Sequence, residues 1–333
     1  MPYIKTDQFS QHLRDRVIRL ATRQVLISRI EGSAQEPDLT EPPNCGGYGR
    51  VRHFRLHTPI PWPPNPLPIQ PAAHRLRTPL PDIMKAQVFQ NAACNWRCWY
   101  CFVPFSLLSA NEDQAGWLTA EEMIDLYLRE ADRPHIIDCS GGQPDLVPEW
   151  VPWMMRALRS RGLDETVYLW SDDNLSNDYF WRHLDPAERK LVAGYKMYGR
   201  VCCFKGFNRQ SFAFNTRADP ALFDQQFELF ARLLRLGIDI YAYATFTSPD
   251  DTNIKHNMTM FVDKLQEVHR RLPLRLVPLR IDSFEVVEPR LRDLHRRAMA
   301  VQEDAVLAWN EEIRSRFSSD ERTIPVHLVS LYQ

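Results

Sequence analysis

Ala86-Gln87-Val88-Phe89-Gln90-Asn91 runs without a break into Ala92-Ala93-Cys94-Asn95-Trp96-Arg97-Cys98-Trp99-Tyr100-Cys101-Phe102-Val103-Pro104. The first six residues read as a short strand, and the cysteine-rich remainder as a loop at its carboxyl end. Downstream the same unit repeats. Thr119-Ala120-Glu121-Glu122 is a capping box that opens a helix carrying Met123, Leu126 and Tyr127. Strands are expected at 135–139, 166–171, 201–205, 238–246 and 274–281, with helices near 149–161, 178–184, 254–271 and 289–317. Between the fourth and fifth strands, Asp219 and Pro220 open a helix whose stripe is Phe223, Phe227, Phe230 and Leu234, ended by Gly237. Strands alternating with helices demand a parallel sheet covered by the helices. Six units are fewer than the eight that close a barrel, so the expected fold is α/β, an open (β/α)6 partial TIM-like barrel. Function in such sheets gathers at the carboxyl ends of the strands.

The chain has 333 residues, 44% of them hydrophobic and 25% charged, which is globular composition and excludes global disorder. A net charge of -1 supplies no overall basic field and argues against a nucleic-acid partner. No apolar run is long enough to cross a bilayer and no signal segment opens the chain, so a cytoplasmic location without a membrane partner is expected. Twelve of the 25 prolines fall between Pro37 and Pro81. With a helix-like pattern over 8–30, this makes residues 1–84 an N-terminal extension with a proline-rich wrap. Residues 85–285 then form the barrel, and 286–333 a C-terminal helix and tail.

Seven cysteines in a reducing compartment point to metal or chemistry. Cys94, Cys98 and Cys101 have the spacing C-x3-C-x2-C on one loop. They offer three ligands, whereas a structural zinc site wants four. A cubane iron–sulfur cluster held by three thiolates leaves one iron open, as catalysis requires. Trp96, Trp99, Tyr100 and Phe102 would shield such a cluster from solvent. A zinc-stabilised, non-catalytic binding protein is the alternative of another class, with a distant fourth ligand.

With Tyr100 before its third cysteine, this loop resembles the signature of the radical S-adenosylmethionine (SAM) superfamily. The resemblance spans roughly residues 85–285. It implies a [4Fe–4S] cluster on Cys94, Cys98 and Cys101, with SAM chelating the fourth iron. It also implies reductive cleavage of SAM to a 5′-deoxyadenosyl radical that abstracts hydrogen from a substrate. An electron donor such as flavodoxin or ferredoxin is then a partner. Ser140-Gly141-Gly142-Gln143-Pro144 is similar to the family's GGEP motif, with Gln143 in place of the glutamate. Gly141 and Gly142 would bring backbone to SAM, and Gln143 can accept but carries no charge. By the same resemblance, Asp172 at the third strand's end faces the SAM ribose. Lys205, in Cys203-Phe204-Lys205, is similar to the strand end of glycyl-radical activating enzymes, where lysine meets the SAM carboxylate.

Outside the signature, Cys203 and Cys45 are candidate hydrogen-atom donors, while Cys139 and Cys202 read as core residues. Asn44-Cys45-Gly46-Gly47-Tyr48-Gly49-Arg50, followed by Arg52, His53 and Arg55, reads either as a lid bringing Arg forks to an anionic substrate or as a turn opening the wrap. On the fifth strand Tyr241, Tyr243 and Thr245 alternate with Ile240, Ala242 and Ala244, and the hydroxyl set is the better substrate lining. The expected substrate is a small polar metabolite or natural-product intermediate. Activation of a glycyl-radical enzyme, or another protein or peptide modification, is the alternative.

Overall fold

The computed structural model describes residues 2–332. Its strands are β1 (Ile18–Arg19), β2 (Gln24–Ser28), β3 (Gly49–Arg55), β4 (Ile83–Gln90), β5 (Ala115–Thr119), β6 (Ile136–Ser140), β7 (Tyr168–Asp173), β8 (Tyr198–Phe204), β9 (Ile240–Thr245) and β10 (Leu276–Leu279). Its helices are α1 (Thr6–Val17), α2 (Ile69–Leu76), α3 (Ala120–Arg129), α4 (Trp150–Ser160), α5 (Tyr179–His183) and α6 (Pro186–Gly194). They continue as α7 (Arg209–Thr216), α8 (Leu222–Leu234), α9 (Ile254–Val268), α10 (Asp293–Arg316) and α11 (Ser319–Thr323). A seven-stranded sheet has the order β10-β9-β8-β7-β6-β4-β3. From β4 to β10 neighbouring strands run parallel, and β3 adds antiparallel to β4.

Register decides which side chains share a face. Arg50 stands opposite Val88, Val88 opposite Asp138, Asp138 opposite Trp170, and Trp170 opposite Gly199. Nearer the strand ends Asp172 stands opposite Val201, then Cys203 opposite Tyr243 and Tyr243 opposite Val277. Since side chains alternate along a strand, Arg50, Arg52, Gln90, Asp138, Asp172, Cys203, Tyr243 and Thr245 line one face. The other face carries the helices. Phe204 packs there on Phe227 and Phe230 of α8 and Phe261 of α9, with ring centroids 4.9, 5.8 and 6.1 Å away. The hydroxyl set of β9 therefore faces the helix-free interior, as its alternation suggests, while Cys139 and Cys202 are buried on the helix side.

The proline-rich segment closes this interior. Leaving β3 at one sheet edge, it reaches α10 beside the other edge. Trp62 Nε1 donates to Glu303 at 3.1 Å, and Asn310 donates to the Pro61 carbonyl at 3.0 Å. The Tyr243 hydroxyl lies 3.1 Å from Asn65 Oδ1 and 3.0 Å from the Leu67 carbonyl, so the wrap is tied to the sheet's inner face. Below the amino ends of the strands lies α2, with Arg75 3.9 Å from Asp239.

The expected capping box of α3 is present. Glu122 N–H donates to Thr119 Oγ1 at 3.1 Å, and Thr119 N–H donates to Glu122 Oε2 at 2.7 Å. The N-terminal segment differs from its reading. The helical pattern over 8–30 stops at Val17, and β1 and β2 form a three-stranded sheet with β5. The branched run Val25-Leu26-Ile27 is fully buried in that sheet, where a pleated surface suits it better than a helix. The extension also supplies β3 to the main sheet, so it is part of the fold rather than only a wrap. Asp219 takes an N–H from Ala221 at 2.9 Å in a turn, and α8 starts at Leu222, past the expected cap. Among the described residues no helix is long and apolar enough to cross a membrane.

Candidate active site

The cysteine loop leaves β4 at Gln90 and is tied at once to the loop after β6. Asn91 Nδ2 donates to the Gln143 carbonyl at 2.9 Å, and Gln143 N–H donates to the Ala93 carbonyl at 2.8 Å. That approach needs the two glycines. A Cβ on Gly142 would sit 2.2 Å from the Ala93 oxygen, and one on Gly141 2.3 Å from Gln90 Cγ. Both residues have φ near +70°, at +64° and +72°, where side chains are strained. In the structure the two glycines let one strand-end loop approach the other.

The loop is anchored residue by residue. Asn95, fully buried, donates to Ser10 at 2.8 Å and to Ser176 at 2.7 Å. Trp96 Nε1 donates to Thr6 at 3.3 Å. Trp99 stacks on His295 with centroids 4.8 Å apart and donates to Asn215 at 3.1 Å. The Tyr100 and Thr245 hydroxyls lie 3.3 Å apart, which ties the loop to the end of β9. Arg97 donates to the carbonyls of Cys94 and, at 3.0 Å, Trp96.

Cys94 is buried and Cys98 and Cys101 are half-buried. Burial raises all three thiols, Cys98 to about 12, and each feels the charge of its neighbours on the loop. Lys205 faces them. Burial alone would lower its ammonium, but Cys203, Tyr100, Cys98 and Cys94 hold it above its ordinary value. Among the described residues no group of three or more His, Cys, Asp and Glu side chains is gathered to hold an ion. In donor type, number and neighbouring cations the loop fits a thiolate-bound cluster, though its thiols are neighbours that still have to draw together on one.

Gln143 is spent inside the protein. Its Nε2 donates to Asp173 Oδ1 at 2.8 Å and its Oε1 accepts the Asn174 N–H at 3.0 Å. Asp173 also pairs with Arg200 at 2.7 Å, and Arg200 donates to Asp145 as well. This gives a physical reason for an amide at the third position of the Gly-Gly-Gln-Pro motif. A glutamate there would set a carboxylate against Asp173. Asp172 faces the interior, where its Oδ2 accepts from Ser140 at 2.5 Å and lies 3.9 Å from Arg52.

The two candidate hydrogen donors part company. Cys203 lies on the interior face opposite Tyr243, with Lys205, Asp172 and Arg52 among its charged neighbours. Burial raises its thiol to about 11. Cys45 sits beside α3, where its N–H donates to Glu130 at 2.7 Å, and burial followed by the Glu130 charge raises its thiol to about 12. Asp138 is absent from the residues the sequence singles out. It is fully buried and 3.4 Å from Arg52, and a lone carboxylate in the apolar strand Ile136-Ile137-Asp138-Cys139 is its signal. Arg50 and Arg52, read as part of a lid or turn, are strand residues of β3.

No family model matches this chain, and no curated protein matches it. Among solved structures, SuiB from Streptococcus suis bound to its precursor peptide SuiA is similar at a TM-score of 0.39 and 14% identity. SuiB bound to S-adenosylmethionine is similar at 0.39 and 16%. Each match covers 54% of this chain. This chain spans little more than a third of those chains, 36% and 37%. At such distance the likeness assigns neither a subfamily nor a substrate.

Proposed function

We propose that this chain is a radical SAM enzyme. The observation that carries the reading is the loop at the carboxyl end of β4. It sets Cys94, Cys98 and Cys101 beside Tyr100 and opposite the half-buried Lys205, above a helix-free interior. Cys94, Cys98 and Cys101 would hold a [4Fe–4S] cluster, which when bound supplies the electron that splits SAM into methionine and a 5′-deoxyadenosyl radical. Lys205 offers a fixed positive charge to the SAM carboxylate. Asp172, with Oδ1 unpartnered among the described residues, can accept from the ribose hydroxyls. Gly141 and Gly142 hold the second loop against the first, and Gln143 locks that arrangement through Asp173. Trp96 and Trp99 exclude water.

Cys203 keeps its proton at neutral pH and faces the interior, so it is placed to return a hydrogen atom to a substrate radical. The thiyl radical left behind is reduced and reprotonated at the expense of an electron donor of the flavodoxin or ferredoxin kind. Cys45, beside α3, has no such position. The substrate is a small polar metabolite or natural-product intermediate.

Anaerobic reconstitution tests the reading. The expected product is brown protein with about four irons and four sulfides per chain. It should form 5′-deoxyadenosine from SAM under dithionite, and both properties should be lost in Cys94→Ala, Cys98→Ala and Cys101→Ala. Colourless protein holding one zinc would instead establish the non-catalytic alternative. Product formation unchanged in Cys203→Ala would remove that residue's role alone.

A further inference from the structure

We propose that the interior face carries an anion-recognition fork made by Arg50, and that the molecule processed here bears a carboxylate or phosphate group. The inference rests on the radical SAM reading for what is processed, but not for the binding itself. Arg50 is 4% exposed, and among the described residues its Nε and Nη2 are buried without a hydrogen-bond partner. These two nitrogens form one edge of the guanidinium, the edge that meets two oxygens of a single carboxylate or phosphate in parallel. The group is held over the Phe102 ring at 4.8 Å, next to Cys101, and its strand is pinned to β4 from Gly49 to Arg55. A buried cation without an acceptor is costly, so the position is explained by an acceptor that arrives from outside.

The neighbours set further terms. Arg52 is already engaged, 3.4 Å from Asp138 and 3.9 Å from Asp172. Asp138 Oδ1, Asp172 Oδ1 and both amide atoms of Gln90 are also buried and unpartnered among the described residues. With Asp172 Oδ1 left to the SAM ribose, the unpartnered Asp138 carboxyl and the Gln90 amide call for hydroxyl or amine groups on the same ligand as the anion. A neutral hydrocarbon would leave every one of these atoms unsatisfied. Arg50 stands at the level of Val88, two residues below Gln90 where the cysteine loop begins. That depth favours the substrate over the SAM carboxylate.

Binding of inorganic phosphate and of succinate is measured calorimetrically on the full chain, both as purified and after cluster reconstitution. Wild type is expected to bind at least one probe saturably, and Arg50→Met to weaken it at least tenfold. Phosphate alone would indicate a phosphorylated substrate, and succinate alone a carboxylic acid. Arg50→Lys keeps the charge without the fork and should fall between the two. Asp138→Asn, compared with wild type at pH 9 where the Asp138 carboxylate is ionised, removes a neighbouring negative charge and should tighten the probe severalfold, which keeps the test decisive if Arg50→Met does not fold. Neither probe bound, or equal binding in wild type and Arg50→Lys, overturns the fork. Loss of SAM affinity in Arg50→Met with probe binding unchanged would assign the guanidinium to the cofactor instead. Probe binding by iron-free protein stands even if the thiols never take a cluster, so the two readings fail separately.

Discussion

Two groups of arginine and aspartate lie on opposite faces of one sheet, one buried throughout and one half-buried at Arg52 and Asp172. On the helix side, Arg200 donates to both Asp145 and Asp173, and Asp173 is completed by Gln143 and the Leu175 N–H. On the inner side, Arg52 takes both Asp138 and Asp172, and Arg50 is left with no carboxylate in its ion pairs. The same residue types thus make a charge-paired brace in one place, with Arg200 Nε alone left without a partner among the described residues, and in the other an arginine with no carboxylate at all. A brace holds loops together, here those after β6 and β7. An unfinished set waits for a ligand.

Arg200→Met should break the charge-paired brace and strand two buried carboxylates, at a cost of about 3–5 kcal/mol. Arg50→Met should cost at most about 1 kcal/mol, because an unpaired buried cation is exchanged for an apolar chain of similar size. Urea denaturation of both variants checks this, and equal losses would erase the distinction between the two groups. Gln143→Glu, which installs the acid of the motif this loop resembles, should lose about 1–3 kcal/mol by turning a hydrogen bond to Asp173 into a repulsion. A stabilised variant would show that the loop is not braced as described.

The inner group also titrates. Burial, then the charge of Asp172, raises the Asp138 carboxyl to about 8 against the pull of Arg52 and Arg50. The folded chain therefore keeps a proton that the unfolded chain has already lost, and stability falls as pH rises from about 4 to 8. Asp138→Asn should flatten that slope in denaturation curves taken across the range. A small effect is also expected for Tyr243→Phe, which removes a hydroxyl held by Asn65 and Leu67 and should cost about 0.5–1.5 kcal/mol in the same assay.

Much of this is legible in local pattern. The strand runs and the Thr119 box need only neighbours in sequence, and the three cysteines announce themselves by spacing. Gln143 is visible as a departure, but its cause is not, since Asp173 lies 30 positions away. The pair Val25-Leu26 misleads because apolar residues at short range fit a helix or a strand, and only β5 decides between them. Arg50 and Arg52 alternate as inward residues of a strand should. Without the partner strand β4, a glycine-rich approach reads equally well as a lid.

The proline segment has one more effect. A sheet that does not close has two rims, and an open rim is a template on which a foreign chain can add a strand. At β10 the rim is four residues long and contains Pro278, which offers no N–H. Beside it the wrap is tied to α10 at Glu303 and Asn310, and its own prolines offer none either. The proline-rich covering of the interior thus also leaves that border a poor template for strand addition.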